Sequence, residues 1–107
     1  MRSDAGVVHI RVLYLAGCPH SDETFDLVRR IARSPRRGTI VERIEVTTGE
    51  DAVRLRFLGS PTVQLNGVDI DPAARGRTDF ALTCRLYGTS GVPASDMITA
   101  AIRDATE

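Results

Sequence analysis

Five consecutive residues, Gly17-Cys18-Pro19-His20-Ser21, combine a thiol, a stiff turn residue, an imidazole and a hydroxyl. A thiolate at such a place is a nucleophile toward disulfides and oxidants. Cys18 and Ser21 have the Cys-x-x-Cys spacing of a dithiol motif, with a serine where the second sulfur would stand. A mixed disulfide formed at Cys18 therefore has no neighbouring sulfur to resolve it. An external thiol could resolve it, with Ser21 serving only as a hydrogen-bond donor. The other cysteine of the chain, Cys84, could also do so. That route needs Cα atoms within about 7 Å of each other. The inert alternative is that each cysteine is a small buried apolar residue.

The same side chains suit other chemistry. Cys18, Cys84 and His20 are ligand types for a soft ion such as Zn²⁺, Cu⁺ or Hg²⁺. No Cys-x-x-Cys pair is present and His9 lies in a strand-like run, so a closed four-ligand site is not expected and no metal ligands are assigned. Arg75, Arg77 and Arg85 form a basic group around Cys84, suited to an anionic ligand or a solvated rim. No phosphate-binding glycine loop, Ser-His-Asp order or HExxH is found.

The elements that must position these residues follow from periodicity. Val7 to Leu15 reads as a buried strand, ended by Gly17 and Pro19. From Pro19 to Arg33 the apolar residues Phe25, Val28, Ile31 and Ala32 share one helical face, and "SPRRG" (34–38) closes the helix. This puts Cys18 at the N-cap, where free N–H groups and the helix dipole favour a thiolate; His20 adds charge when protonated. "TIVERIEV" (39–46) is a second strand. Thr48 caps a short helix over 50–58, which Gly59 stops. "PTVQL" (61–65) and "VDI" (68–70) flank Asn66-Gly67, a strong hairpin signal. Residues 71–93 form a long connection whose "DFALTCRLYG" (79–88) should pack as a short helix or strand. Ser95 caps a last helix.

The expected order is β-α-β-α-β-β-α: an α/β fold with a central mixed sheet flanked by helices and an inserted segment before the last helix. The first two strands, joined through a helix, should be parallel, and the final hairpin antiparallel. At 107 residues a single domain over 1–107 is expected. Formal net charge is zero and aromatics make up 5%, which argues against a nucleic-acid surface. All 14 basic residues are arginine, so lysine chemistry is excluded. No signal peptide or membrane-length apolar run is seen, and the cytoplasm is the expected location.

This order, with Cys18-Pro19-His20 at the head of the first helix, resembles the thioredoxin-like superfamily. "GSPTV" (59–63) places a proline where that superfamily has its cis-proline loop, and "PTVQLNGVDI" is similar to the hairpin that follows it. The resemblance covers about residues 7–70 and, more loosely, the last helix. "CPH" resembles the Cys-Pro-His-Cys motif of periplasmic dithiol oxidants, from which Ser21 departs. The segment with "CRLY" and "GVP" resembles small bacterial thioredoxin-like proteins, some labelled alkylmercury lyase. The lyase motifs themselves do not match residue by residue.

The resemblance implies Cys18 as nucleophile, with His20 beside it and Ser21 where the resolving cysteine would stand; Ser21 could then act as a hydrogen-bond donor to the thiolate, and Cys84 could be the resolving partner, brought in by the long segment. It also implies a cis Ser60–Pro61 bond turned toward Cys18, where Ser60 and Pro61 could bind a peptide or thiol substrate. No cofactor is implied. Three function classes remain open at this point: a thiol-disulfide oxidoreductase, a soft-metal or organomercurial-processing protein using Cys18 and Cys84, and a non-catalytic interaction module. The expected partners are protein or small-molecule thiols and disulfides, or a soft metal ion, with no nucleic acid and no membrane. A homodimer is compatible with all three.

Overall fold

The computed structural model describes residues 8–32 and 39–106. Val7, Arg33 and the closing "SPRRG" lie outside the described residues. Over these residues the architecture is mixed α/β: a four-stranded mixed sheet and three α-helices. Strands β1 (Val8–Tyr14) and β2 (Thr39–Glu45) pair in parallel across helix α1 (Ser21–Ala32), with Val8 opposite Thr39 and Tyr14 opposite Glu45. Strand β3 (Thr62–Leu65) runs antiparallel to β1, placing Val12 opposite Val63. Strand β4 (Val68–Asp69) closes the hairpin, and the sheet order is β2-β1-β3-β4. The hairpin turns at Asn66 (φ 51°) and Gly67 (φ 85°), the positive pair that a two-residue turn demands.

Alternation along β1 divides the core between two faces. Val8, Ile10 and Val12 join Val63 and Leu65 beneath α1 and the last helix, α3 (Ser95–Thr106), which bring Val28, Ala32, Ile98, Ala101 and Ile102. Leu13 turns the other way, onto Val46, Ala52 and Phe57. Ala52 belongs to helix α2 (Gly49–Arg54), so helices do cover both faces.

Several boundaries differ from expectation, each for a local reason. Thr48 caps α2 as expected, its hydroxyl accepting from the Asp51 amide at 3.0 Å. The helix ends at Arg54 rather than Leu58, because Arg56 takes a positive φ of 57° and the chain turns Phe57 into the core. Gly59 therefore does not stop a helix. The last helix includes Ser95 as its first residue, and the Ala94 carbonyl accepts its first bonds from Met97 and Ile98. Residues 79–88 form neither a helix nor a regular strand. After a 3-10 turn at Pro72–Ala74, the segment is tied down by two isolated bridges, Ser60–Cys84 and Tyr87–Ser90.

Candidate functional site

Cys18 is carried on the tight turn that follows β1. Its amide donates to the Leu15 carbonyl (3.1 Å) and its carbonyl accepts from the Ser21 amide (3.4 Å), so Pro19 and His20 occupy the turn's central positions. Proline suits the first of these because its φ is already set. The first full helical bond of α1 runs from Thr24 to His20 (3.0 Å). The cysteine thus lies three residues ahead of the helix rather than at its N-cap. The Pro19–His20 turn takes up what the sequence pattern counts as the first helical residues. Cys18 is half-buried.

The neighbouring polar residues are placed differently from one another. Ser21 is buried, and its hydroxyl donates to the Cys18 carbonyl (3.3 Å), closing the turn. His20 is exposed, with its ring lying against Gly91, where any Cβ would meet the ring. The glycine thus lets the 88–93 loop approach the turn that holds Cys18.

Ser60 and Pro61 are buried at the head of β3, and the peptide bond between them is cis. The Ser60 hydroxyl accepts from the Leu15 amide at 3.0 Å, linking this loop to the end of β1 just before the Cys18 turn. On its main chain, Ser60 pairs with Cys84. Its amide donates to the Thr83 carbonyl (2.8 Å), and its carbonyl accepts from the Arg85 amide (3.0 Å). Residues opposite one another in such a ladder project their side chains to the same side. Cys84 is exposed, and both cysteines are free thiols.

Residues 83–87 are held against the Ser60–Pro61 loop by Arg85, expected only as part of a basic group, and by Asp69 and Tyr87, which neither motif nor spacing singled out. Arg85 is buried and makes two bonds to Asp69, at 2.7 and 3.0 Å. The basic group expected around Cys84 is thereby dispersed: Arg85 is consumed by Asp69, Arg75 donates to the Asp69 carbonyl (2.8 Å), and Arg77 pairs with Asp79. Tyr87 donates its hydroxyl to the Pro61 carbonyl (2.7 Å), under the Arg85 guanidinium 4.4 Å from the ring centre. Burial pushes the Tyr87 phenol far above its usual pKa, against the pull of the Arg85 charge. The available signal was a complementary pair of charges, Asp69 in an apolar hairpin and Arg85 in an apolar run. Neither position favours a charge unless it is paired.

Gly59 has a specific role here. Its φ is +123°, and a Cβ on it would lie 2.8 Å from the Arg85 Cβ and 3.0 Å from the Cys84 carbonyl. Only glycine lets the two segments come this close.

Among the described residues, no three His, Cys, Asp or Glu side chains converge to hold a metal. His9 is engaged with Glu42, Nε2 to Oε2 at 2.8 Å. Among the described residues no helix is long and apolar enough to cross a membrane. Comparison of the chain with protein-family models, with curated proteins and with solved structures finds no match.

Proposed function

We propose that this chain is a thioredoxin-like thiol-disulfide oxidoreductase in which Cys18 is the nucleophile and Cys84 the resolving thiol. One observation carries the reading. Ser60 is bonded through its hydroxyl to Leu15, at the root of the Cys18 turn, and through its main chain to the residues on either side of Cys84. The two cysteines of the chain, far apart in sequence, thus sit on segments that converge on one residue. The parallel β1–β2 pair, the antiparallel hairpin and the helices on both faces support the thioredoxin-like assignment.

The reaction balances as two exchanges. The Cys18 thiolate attacks one sulfur of a disulfide, forming a mixed disulfide and expelling the other half as a thiolate, which takes a proton. The Cys84 thiolate then attacks the Cys18 sulfur and releases the second half. Two electrons pass from the protein dithiol to the substrate, and the Cys18–Cys84 disulfide is returned to the dithiol by an external thiol reductant. Ser21 and His20 position the Cys18 turn, the first through its bond to the Cys18 carbonyl and the second through its ring on Gly91.

The test is a single-turnover assay with the pre-reduced protein and an excess of a disulfide. The wild type should release two substrate thiols per chain. Cys84→Ser should release one at the wild-type rate and retain a mixed disulfide visible by mass, and Cys18→Ser should release one only at the slow rate of an ordinary thiol, through the exposed Cys84. A wild type that ends with a mixed disulfide on each cysteine in place of a Cys18–Cys84 disulfide, or release from Cys18→Ser at the wild-type rate, would remove the assigned roles.

A further inference from the structure

We propose that residues 83–87 occupy, within the chain itself, the edge that an extended protein substrate would pair with, so that the substrate of the Cys18–Cys84 couple is a low-molecular-weight disulfide. This rests on the oxidoreductase reading above. An extended peptide docks on a fold by bonding to unpaired main-chain groups. At Ser60 and Pro61 these groups are all engaged. The Ser60 amide donates to Thr83 and its carbonyl accepts from Arg85. Pro61 has no N–H to offer, and its carbonyl accepts from the Tyr87 hydroxyl.

The strap is also fixed rather than laid loosely across the loop. Displacing it would separate Arg85 from Asp69, side chains only 4% and 7% exposed, and leave buried charge unpaired. The missing side chain at Gly59 makes room for this one segment. Cys84 itself stays exposed and Cys18 half-buried, so a compact molecule can still reach sulfur. The couple therefore gives up two electrons to a small R–S–S–R, which leaves as two R–SH, while a folded protein disulfide finds the Ser60–Pro61 main chain already paired.

Two measurements on the full chain test this. Amide hydrogen exchange should protect the Ser60 and Arg85 N–H groups at least about a hundredfold; unprotected exchange at either would show an open edge and overturn the proposal. Single-turnover rate constants are then compared for bis(2-hydroxyethyl) disulfide and for insulin, each divided by that disulfide's rate with a free small thiol. The small disulfide should be favoured at least tenfold. A smaller ratio, with both disulfides reduced, overturns the inference and leaves the oxidoreductase reading intact. Reduction of neither overturns that reading, and the inference with it.

Discussion

Ser60 and Cys84 stand opposite each other in a parallel bridge closed by two hydrogen bonds, and the Ser60 hydroxyl is bonded in turn to the amide of Leu15. One serine thus joins the end of β1, the head of β3 and the long segment before α3. What holds that junction can be tested residue by residue.

The Asp69–Arg85 pair should be the most costly contact to break from one side. Asp69→Ala leaves a buried guanidinium with only the Asp71 carboxylate, 3.9 Å away, and about 3–5 kcal/mol of stability should be lost in urea unfolding. Asp79→Ala, which removes an exposed partner of Arg77, should change the midpoint little. Equal effects would mean that the buried pair does not anchor the strap.

Gly59→Ala should cost about 2–4 kcal/mol, from the positive φ and the contact with Arg85 together. Gly49→Ala is the control. That position opens α2 and has nothing within 4 Å of a Cβ, so the change should stay within about 0.5 kcal/mol. Thermal unfolding of the two variants checks the contrast.

Tyr87 should make stability fall at alkaline pH. Its folded pKa is raised by burial above the value of about 10 expected in the unfolded chain. Below about pH 10 both states keep the proton and the contribution is complete. As pH rises further the unfolded state loses the proton first, and stability declines by at most about 1.4 kcal/mol per pH unit. Tyr87→Phe should be less stable near neutral pH by about 1 kcal/mol, for the lost bond to Pro61, and should show a shallower alkaline decline. Urea midpoints across the alkaline range measure both. An unchanged slope in the variant would contradict the assignment.

The Thr24 hydroxyl is buried in α1 and has no hydrogen-bond partner among the described residues. Thr24→Val keeps the shape and removes the unpaired polar atom, so stability should rise by about 1 kcal/mol in urea unfolding. A loss would mean that the hydroxyl has an unseen partner.

Local chemistry was legible in the sequence where it is decided by neighbours. The Asn66-Gly67 turn and the Thr48 cap each follow from a few adjacent residues, and the parallel first pair of strands follows from the helix that joins them. The Cys18 turn was half legible. Pro19 suits a helix's first position and a turn's second equally well, and the Cys18–Ser21 bond decides for the turn. Gly59 looked like a helix stop because the residue that needs its bare Cα, Arg85, is distant in sequence. The pairing of Asp69 with Arg85 is only half legible for the same reason: each charge stands out in an apolar run, but its partner is distant in sequence. The 79–88 segment has strand-like alternation but lacks a continuous partner, so it forms single bridges in place of a ladder.

Whether Cys18 and Cys84 act as one redox couple is decided by mild oxidation of the reduced chain followed by intact-mass and peptide mapping. The expected product is a monomer lighter by about 2 Da, with a Cys18–Cys84 crosslink and no thiol left to alkylate. A monomer that keeps two alkylatable thiols, or sulfurs that pair only between chains, would contradict it.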